Sequence, residues 1–231
     1  MRLICGIDLG QANDPSTLCA VEPVKLAVPI FRRKYRYVIR LLDEYPLGVS
    51  YPDQVAKFVG SLSHPALVGS RCGVDYTGVG RPVYDLLKQA KPPVMLYPVL
   101  TTGGHAITFD EKTREVHVPK VELVSLLQVL LQADLINWHP RLPTAPKLKE
   151  QLAKFRVKIT KSKNEVFGAE SGSHDDLVSA VMTACFLGEH FGAGDAAGIV
   201  TPEGKDRSVT ETAPAGVFLG SEELSREDRR R

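Results

Sequence analysis

Three short apolar segments open the chain, with only turn-forming residues between the first two. Residues 2–9 (RLICGIDL) form a nearly continuous apolar run, the pattern of a strand buried on both faces. Gly10 to Ser16 brings together Gly, Asn, Asp and Pro, a turn by composition. Residues 17–23 read as a second strand and residues 35–45 (YRYVIRLLDEY) as a third. Three strands in series, before any helical spacing, predict an antiparallel meander.

The pattern then alternates. Pro52 stands where a helix tolerates its missing N–H, and Val55, Phe58, Val59 and Leu62 follow at i, i+3, i+4 spacing, so 52–63 is expected to be helical. Residues 70–76 (SRCGVDY) read as a fourth strand, a helix runs from Pro82 to about Ala90, and residues 94–99 read as a fifth strand. From Gly103 to Val118 a hairpin is expected around the polar turn Asp110–Thr113. Further helices are expected at 119–133, 144–154 and 174–189, with a strand at 155–160 (FRVKIT). The fold expected is α/β, a mixed sheet of three antiparallel strands then parallel ones, flanked by helices on both faces. After Phe191 the composition shifts to Gly, Ala, Thr, Pro and Glu, so residues 1–191 are read as one domain and 192–231 as a mostly disordered tail.

Composition narrows the class. Of 231 residues 43% are hydrophobic, yet no apolar run approaches the roughly 20 residues that span a bilayer. The N-terminus meets Asp8 too early to hold a signal-peptide core, so a cytoplasmic protein without membrane contact is expected. The four cysteines, at 5, 19, 72 and 185, include no C-x-x-C pair and sit in apolar stretches, as small buried side chains do. The net charge of +2 hides an uneven distribution: residues 141–163 hold eight Lys/Arg against the single acid Glu150. A phosphate-facing patch and a solvated helix face beside a basic strand explain that excess equally well.

Three acidic positions share one feature: each ends or begins an element expected at the sheet. Asp8 closes the first strand, Asp75 closes the fourth, and Asp175 and Asp176 occupy the start of the last helix. With the first and fourth strands adjacent, Asp8 and Asp75 would face one cleft at their carboxyl ends, the edge where α/β sheets bind ligands. Clustered carboxylates repel one another, and hard cations resolve that repulsion. Mg²⁺ takes oxygen ligands and keeps waters that substrate phosphates can replace, and two ions about 4 Å apart serve an in-line phosphoryl displacement. Plainer roles exist for each acid. Asp8, Asp14 and Asp75 suit turns, and Ser173 with Asp176 matches a capping box. Only the coincidence of three favours metal. His174 is an accessory candidate or simply an exposed helix-start histidine. Lys120, Lys147, Lys158, Lys161 and Lys163 are candidate phosphate contacts.

At these residues the chain resembles a known family. The succession G-I-D-L-G…D-P-S-T-L-C-A-V, G-V-D-Y-T-G-V-G, V-P-K-V-E-L-V and F-G-A-E-S-G-S-H-D-D-L-V-S-A is similar to the nuclease domain of the tailed-bacteriophage large terminase subunit, an RNase H-like fold related to the Holliday-junction resolvases. The resemblance covers about residues 1–190. It implies Asp8, Asp75 and Asp176 as catalytic metal ligands with Asp175 beside them, two Mg²⁺ or Mn²⁺ ions, and cleavage of double-stranded DNA during genome packaging in the host cytoplasm. Asp8 is expected to bridge both ions, with Asp75 on one and Asp176 on the other. Portal, procapsid and other terminase components are the implied partners. No G-x-x-x-x-G-K-[ST] phosphate loop occurs, so the motor of a whole terminase is not part of this chain. Three rivals stay open: a resolvase of branched DNA, a sugar-kinase or actin-type ATPase, whose phosphate turns Asp8-Leu9-Gly10 and Asp75-Tyr76-Thr77-Gly78 also resemble, and a non-catalytic DNA- or portal-binding module.

Overall fold

The three leading strands form the expected meander. In the computed structural model, which describes residues 2–10, 14–77, 80–103, 106–139, 141–161 (side chains of 156–161 excepted) and 175–192, β1 (Ile4–Asp8), β2 (Ser16–Ile30) and β3 (Arg33–Tyr45) pair antiparallel in sequence. After α1 (Tyr51–Leu62), β4 (Arg71–Asp75) lies parallel to β1 on its free side. After α2 (Gly80–Gln89), β5 (Met95–Thr102) adds parallel to β4. The core order β5-β4-β1-β2-β3 is the RNase H-like arrangement. The short hairpin β6 (Thr108–Phe109) and β7 (Val116–Pro119) extends the sheet beside β5. At the opposite margin, beyond α3 (Lys120–Gln132), β8 (Ile136–Trp138) pairs parallel with β3. Helices cover both faces. On one, α1 and α2 pack Val55, Phe58, Leu62, Val83 and Leu87 over Cys5, Ile7 and Leu18. The other carries α3, α4 (Ala145–Lys161) and α5 (Asp176–Phe191) over Ile4, Cys19 and Val21. All four cysteines are buried and unbridged.

Two differences from the sequence reading have physical causes. Residues 155–160, expected as a strand, continue α4. Leu148, Leu152 and Phe155 recur at helical spacing and are buried, and a helix already nucleated extends at little further cost, which outweighs the β-branched alternation of Val157 and Ile159. The second strand also runs seven residues past its expected end, and the third begins two residues before its expected start. Beyond the pairing of Ile4 with Val21, β1 no longer borders β2, and from Val24 to Arg36 the chain continues as a two-stranded ribbon. Pro23, just before it, is tolerated because no neighbour needs its N–H. The ribbon turns through Phe31 and Arg32, both at positive φ (45° and 65°), and exposes Val28 and Phe31. The tail assigned to 192–231 lies outside the described residues from 193 onward.

Candidate metal centre

The first two acids meet through strand register. Asp8 and Asp75 are direct partners across the parallel β1/β4 pair, so their side chains leave the sheet on the same face at its carboxyl edge. That face belongs to α5, because Gly6 and Asp8 lie two residues apart. The helix seats unusually close: a Cβ on Gly6 would stand 2.2 Å from the Ala180 carbonyl oxygen and 2.7 Å from the Ala184 nitrogen. A bare α-carbon at position 6 therefore lets the α5 backbone touch β1, and the amino end of the helix lies toward the strand's carboxyl end, with Asp176 in its first turn. Asp8, Asp75, Asp176, Asp14 and Thr77 line one cleft of about 200 Å³.

Electrostatics record the same convergence. Burial, then the charges of Asp75, Asp176, Asp175 and Asp14, hold the Asp8 carboxyl well above the usual carboxylate range. Asp75 is fixed in place. Its Oδ1 accepts from the Thr77 backbone N–H (2.9 Å) and Thr77 Oγ1 (2.6 Å), and its Oδ2 receives Thr101 Oγ1 at 3.4 Å. Thr101 N–H in turn donates to Thr77 Oγ1 (2.9 Å), which ties the end of β4 to β5. Asp176 is buried at the start of α5, while Asp175 occupies the N-cap, is more exposed, and makes no side-chain capping bond.

Among the described residues, the donors facing the cleft are oxygens of Asp and Thr, with no His or Cys, a set that suits Mg²⁺ or Mn²⁺ rather than a soft metal. Among the described residues, no three His, Cys, Asp or Glu side chains already form a group closed enough to hold an ion. Uncompensated carboxylates have reason to stay apart, and a cation removes that reason. The residues fit such an ion in kind and share one cleft.

Other sequence candidates fall differently. Asp14, read as a turn residue, also lines the cleft; a Cβ on Gly10 would meet the Asp14 carbonyl oxygen at 2.0 Å, so only glycine permits that close approach. Lys120 is exposed at the first position of α3, at the same edge of the sheet. Lys147 is ion-paired with Glu44 of β3, so it is not a freely solvated cation. Lys158 and Lys161 belong to α4, but their side chains, and all of Lys163, Ser173 and His174, lie outside the described residues. Sequence reasoning missed Thr101, which carries no motif of its own; Thr77 stands in the D-Y-T-G stretch and was in view.

No family model matches the chain, and no curated protein matches it. Solved structures do show similarity. The large terminase nuclease of thermophilic phage G20c with bound magnesium is 19% identical at a TM-score of 0.49, over 79% of each chain. The same nuclease with bound zinc gives 17% and 0.46 over 79% of each chain. The large terminase nuclease domain of bacteriophage SPP1 with bound manganese gives 14% and 0.43, over 80% of this chain and 85% of that one. The chain is thus similar to the nuclease domains of phage large terminases, at low identity. Among the described residues, no helix is long and apolar enough to cross a membrane.

Proposed function

We propose that this chain is a divalent-metal-dependent endonuclease that hydrolyses phosphodiester bonds of double-stranded DNA, of the large-terminase nuclease kind. One observation carries the reading: two aspartates in register at the carboxyl ends of adjacent parallel strands share a cleft with an aspartate from the last helix. Asp8, Asp75 and Asp176 would hold a pair of Mg²⁺ or Mn²⁺ ions. When bound, such ions offset the carboxylate charge, ease deprotonation of water and stabilise the leaving oxygen. Asp8 would be a ligand there as well, since its buried carboxyl already feels the charges of Asp75 and Asp176. Asp75 needs no reorientation, since Thr77 and Thr101 already fix its carboxylate. Asp175 remains a flanking charge. Exposed cations at the same edge, Lys120 first, would meet the duplex through its phosphates, so sequence preference is weak and affinity falls steeply with salt. Genome packaging in the host cytoplasm, with portal, procapsid and other terminase components as partners, is the setting this proposal adopts.

Plasmid DNA incubated with the full chain tests it. Nicking or linearisation that requires Mg²⁺ or Mn²⁺ and is lost in folded Asp8→Asn, Asp75→Asn and Asp176→Asn variants supports the reading. Cleavage confined to a four-way junction would reassign the chain as a resolvase. Saturable ATP binding without DNA cleavage would reassign it as an ATPase, and DNA binding without hydrolysis as a non-catalytic module.

A further inference from the structure

The acid on α5 depends on how the first turn of that helix is held. A helix leaves its first backbone N–H groups without internal partners, and a side chain at the N-cap usually accepts one of them. Here the N-cap is Asp175, and its carboxylate makes no such bond. The acceptor comes instead from a different helix. Gln151 of α4, only 5% exposed, receives the Leu177 N–H on its Oε1 at 3.1 Å. Leu177 immediately follows Asp176, so this bond fixes the backbone from which the buried ligand candidate projects. Gln151 is not there for its own satisfaction: its Nε2 is buried with no hydrogen-bond partner among the described residues.

Helix α4 is itself anchored to the sheet. Thr144 Oγ1, just before its first residue, donates to the Leu42 carbonyl of β3 at 2.8 Å, and Lys147 in its first turn pairs with Glu44. The start of α4 is thus tied to β3, and one turn further along the same helix grips the amino end of α5. We propose that Gln151 is a positioning residue for the acidic cleft: by capping α5 from outside it sets the place of Asp176. The inference rests on the proposed hydrolytic site and deepens it. It also joins the basic helix α4 to the metal centre, so that phosphates drawn to α4 and the acid on α5 are held by one connected body.

Gln151→Met, close in shape and lacking the acceptor, tests the inference in the full chain. Cleavage of plasmid DNA is followed against Mg²⁺ concentration and, separately, against DNA concentration, with amide hydrogen exchange at Leu177 as the structural readout. The expected result is a rise of about 10-fold or more in half-saturating Mg²⁺ with the KM for DNA within about 2-fold of wild type, and loss of protection at Leu177. Gln151→Glu keeps an oxygen acceptor and is expected to restore Leu177 protection and most of the lost Mg²⁺ response. An unchanged Mg²⁺ requirement in Gln151→Met overturns the proposal. So does a folded Gln151→Glu variant as impaired as Gln151→Met, which also decides the matter should Gln151→Met fail to fold. Wild-type chain without metal-dependent cleavage is a different failure: it removes the hydrolytic reading itself.

Discussion

Replacing Asp8 by Asn should make the metal-free protein more stable while destroying the proposed activity. Asp8 and Asp75 face each other across adjacent strands, which lie about 4.8 Å apart. Two unit charges about 5 Å apart repel by about 3 kcal/mol at an effective dielectric of about 20. Both side chains retain some contact with solvent, which screens the repulsion, so about 2 kcal/mol is the reasonable gain from removing the Asp8 charge. For a domain of this size each kcal/mol moves the melting temperature by about 2–4 °C. Thermal unfolding at pH 8 with EDTA should therefore show Asp8→Asn melting about 4–8 °C above wild type. The pH dependence follows from the sign of the shift. The folded-state pKa of Asp8 is raised, so the favourable neutral form contributes fully below the unfolded value near 3.8 and is lost as pH climbs through the folded one. The advantage of Asp8→Asn should thus be large at pH 8 and close to nothing near pH 3.5. Saturating Mg²⁺ should raise the wild-type melting temperature and leave the variant's nearly unmoved. A variant that melts lower than wild type at pH 8, or one whose advantage is the same at both pH values, would refute the electrostatic reasoning.

Other outcomes follow from the same geometry. Asp75→Asn and Asp176→Asn should each lower metal-dependent plasmid cleavage by about 100-fold or more while the far-ultraviolet circular dichroism stays that of wild type. Thr77→Val removes the 2.6 Å bond to Asp75 and should cost about 10-fold in cleavage rate with little change in melting temperature. Gly6→Ala places a methyl against the α5 backbone and should destabilise the fold by about 1–3 kcal/mol, read as a lower urea midpoint. Raising salt from about 50 to 200 mM should weaken DNA affinity by orders of magnitude, measured by fluorescence anisotropy.

Much of this arrangement is written locally in the chain. The runs ending at Asp8 and Asp75 are apolar, short and bounded by turn residues, so both the strands and the acids at their ends could be read off. Asp176 was legible for a similar reason, as an acid in the first turn of an apolar helix. What escaped depends on neighbours. Nothing in residues 24–34 announces a ribbon, because Pro23 and Pro29 argue against a strand and the turn at Phe31-Arg32 lacks the Asn-Gly chemistry that normally marks positive φ. Strand β8 has only three residues and exists because β3 offers an edge. Thr101 and Gln151 matter through contacts with residues 24 to 26 positions away, and no spacing rule connects them.

The order in which the acids occur along the chain has its own consequence. Asp8 precedes Asp75 along the chain, and Asp176 comes only with the helix that closes the described fold. A nascent or truncated polypeptide lacking that helix holds two of the three carboxylates and no complete centre. Under the hydrolytic reading proposed above, competence would therefore arrive only once that helix docks, and a partial chain would carry no working centre.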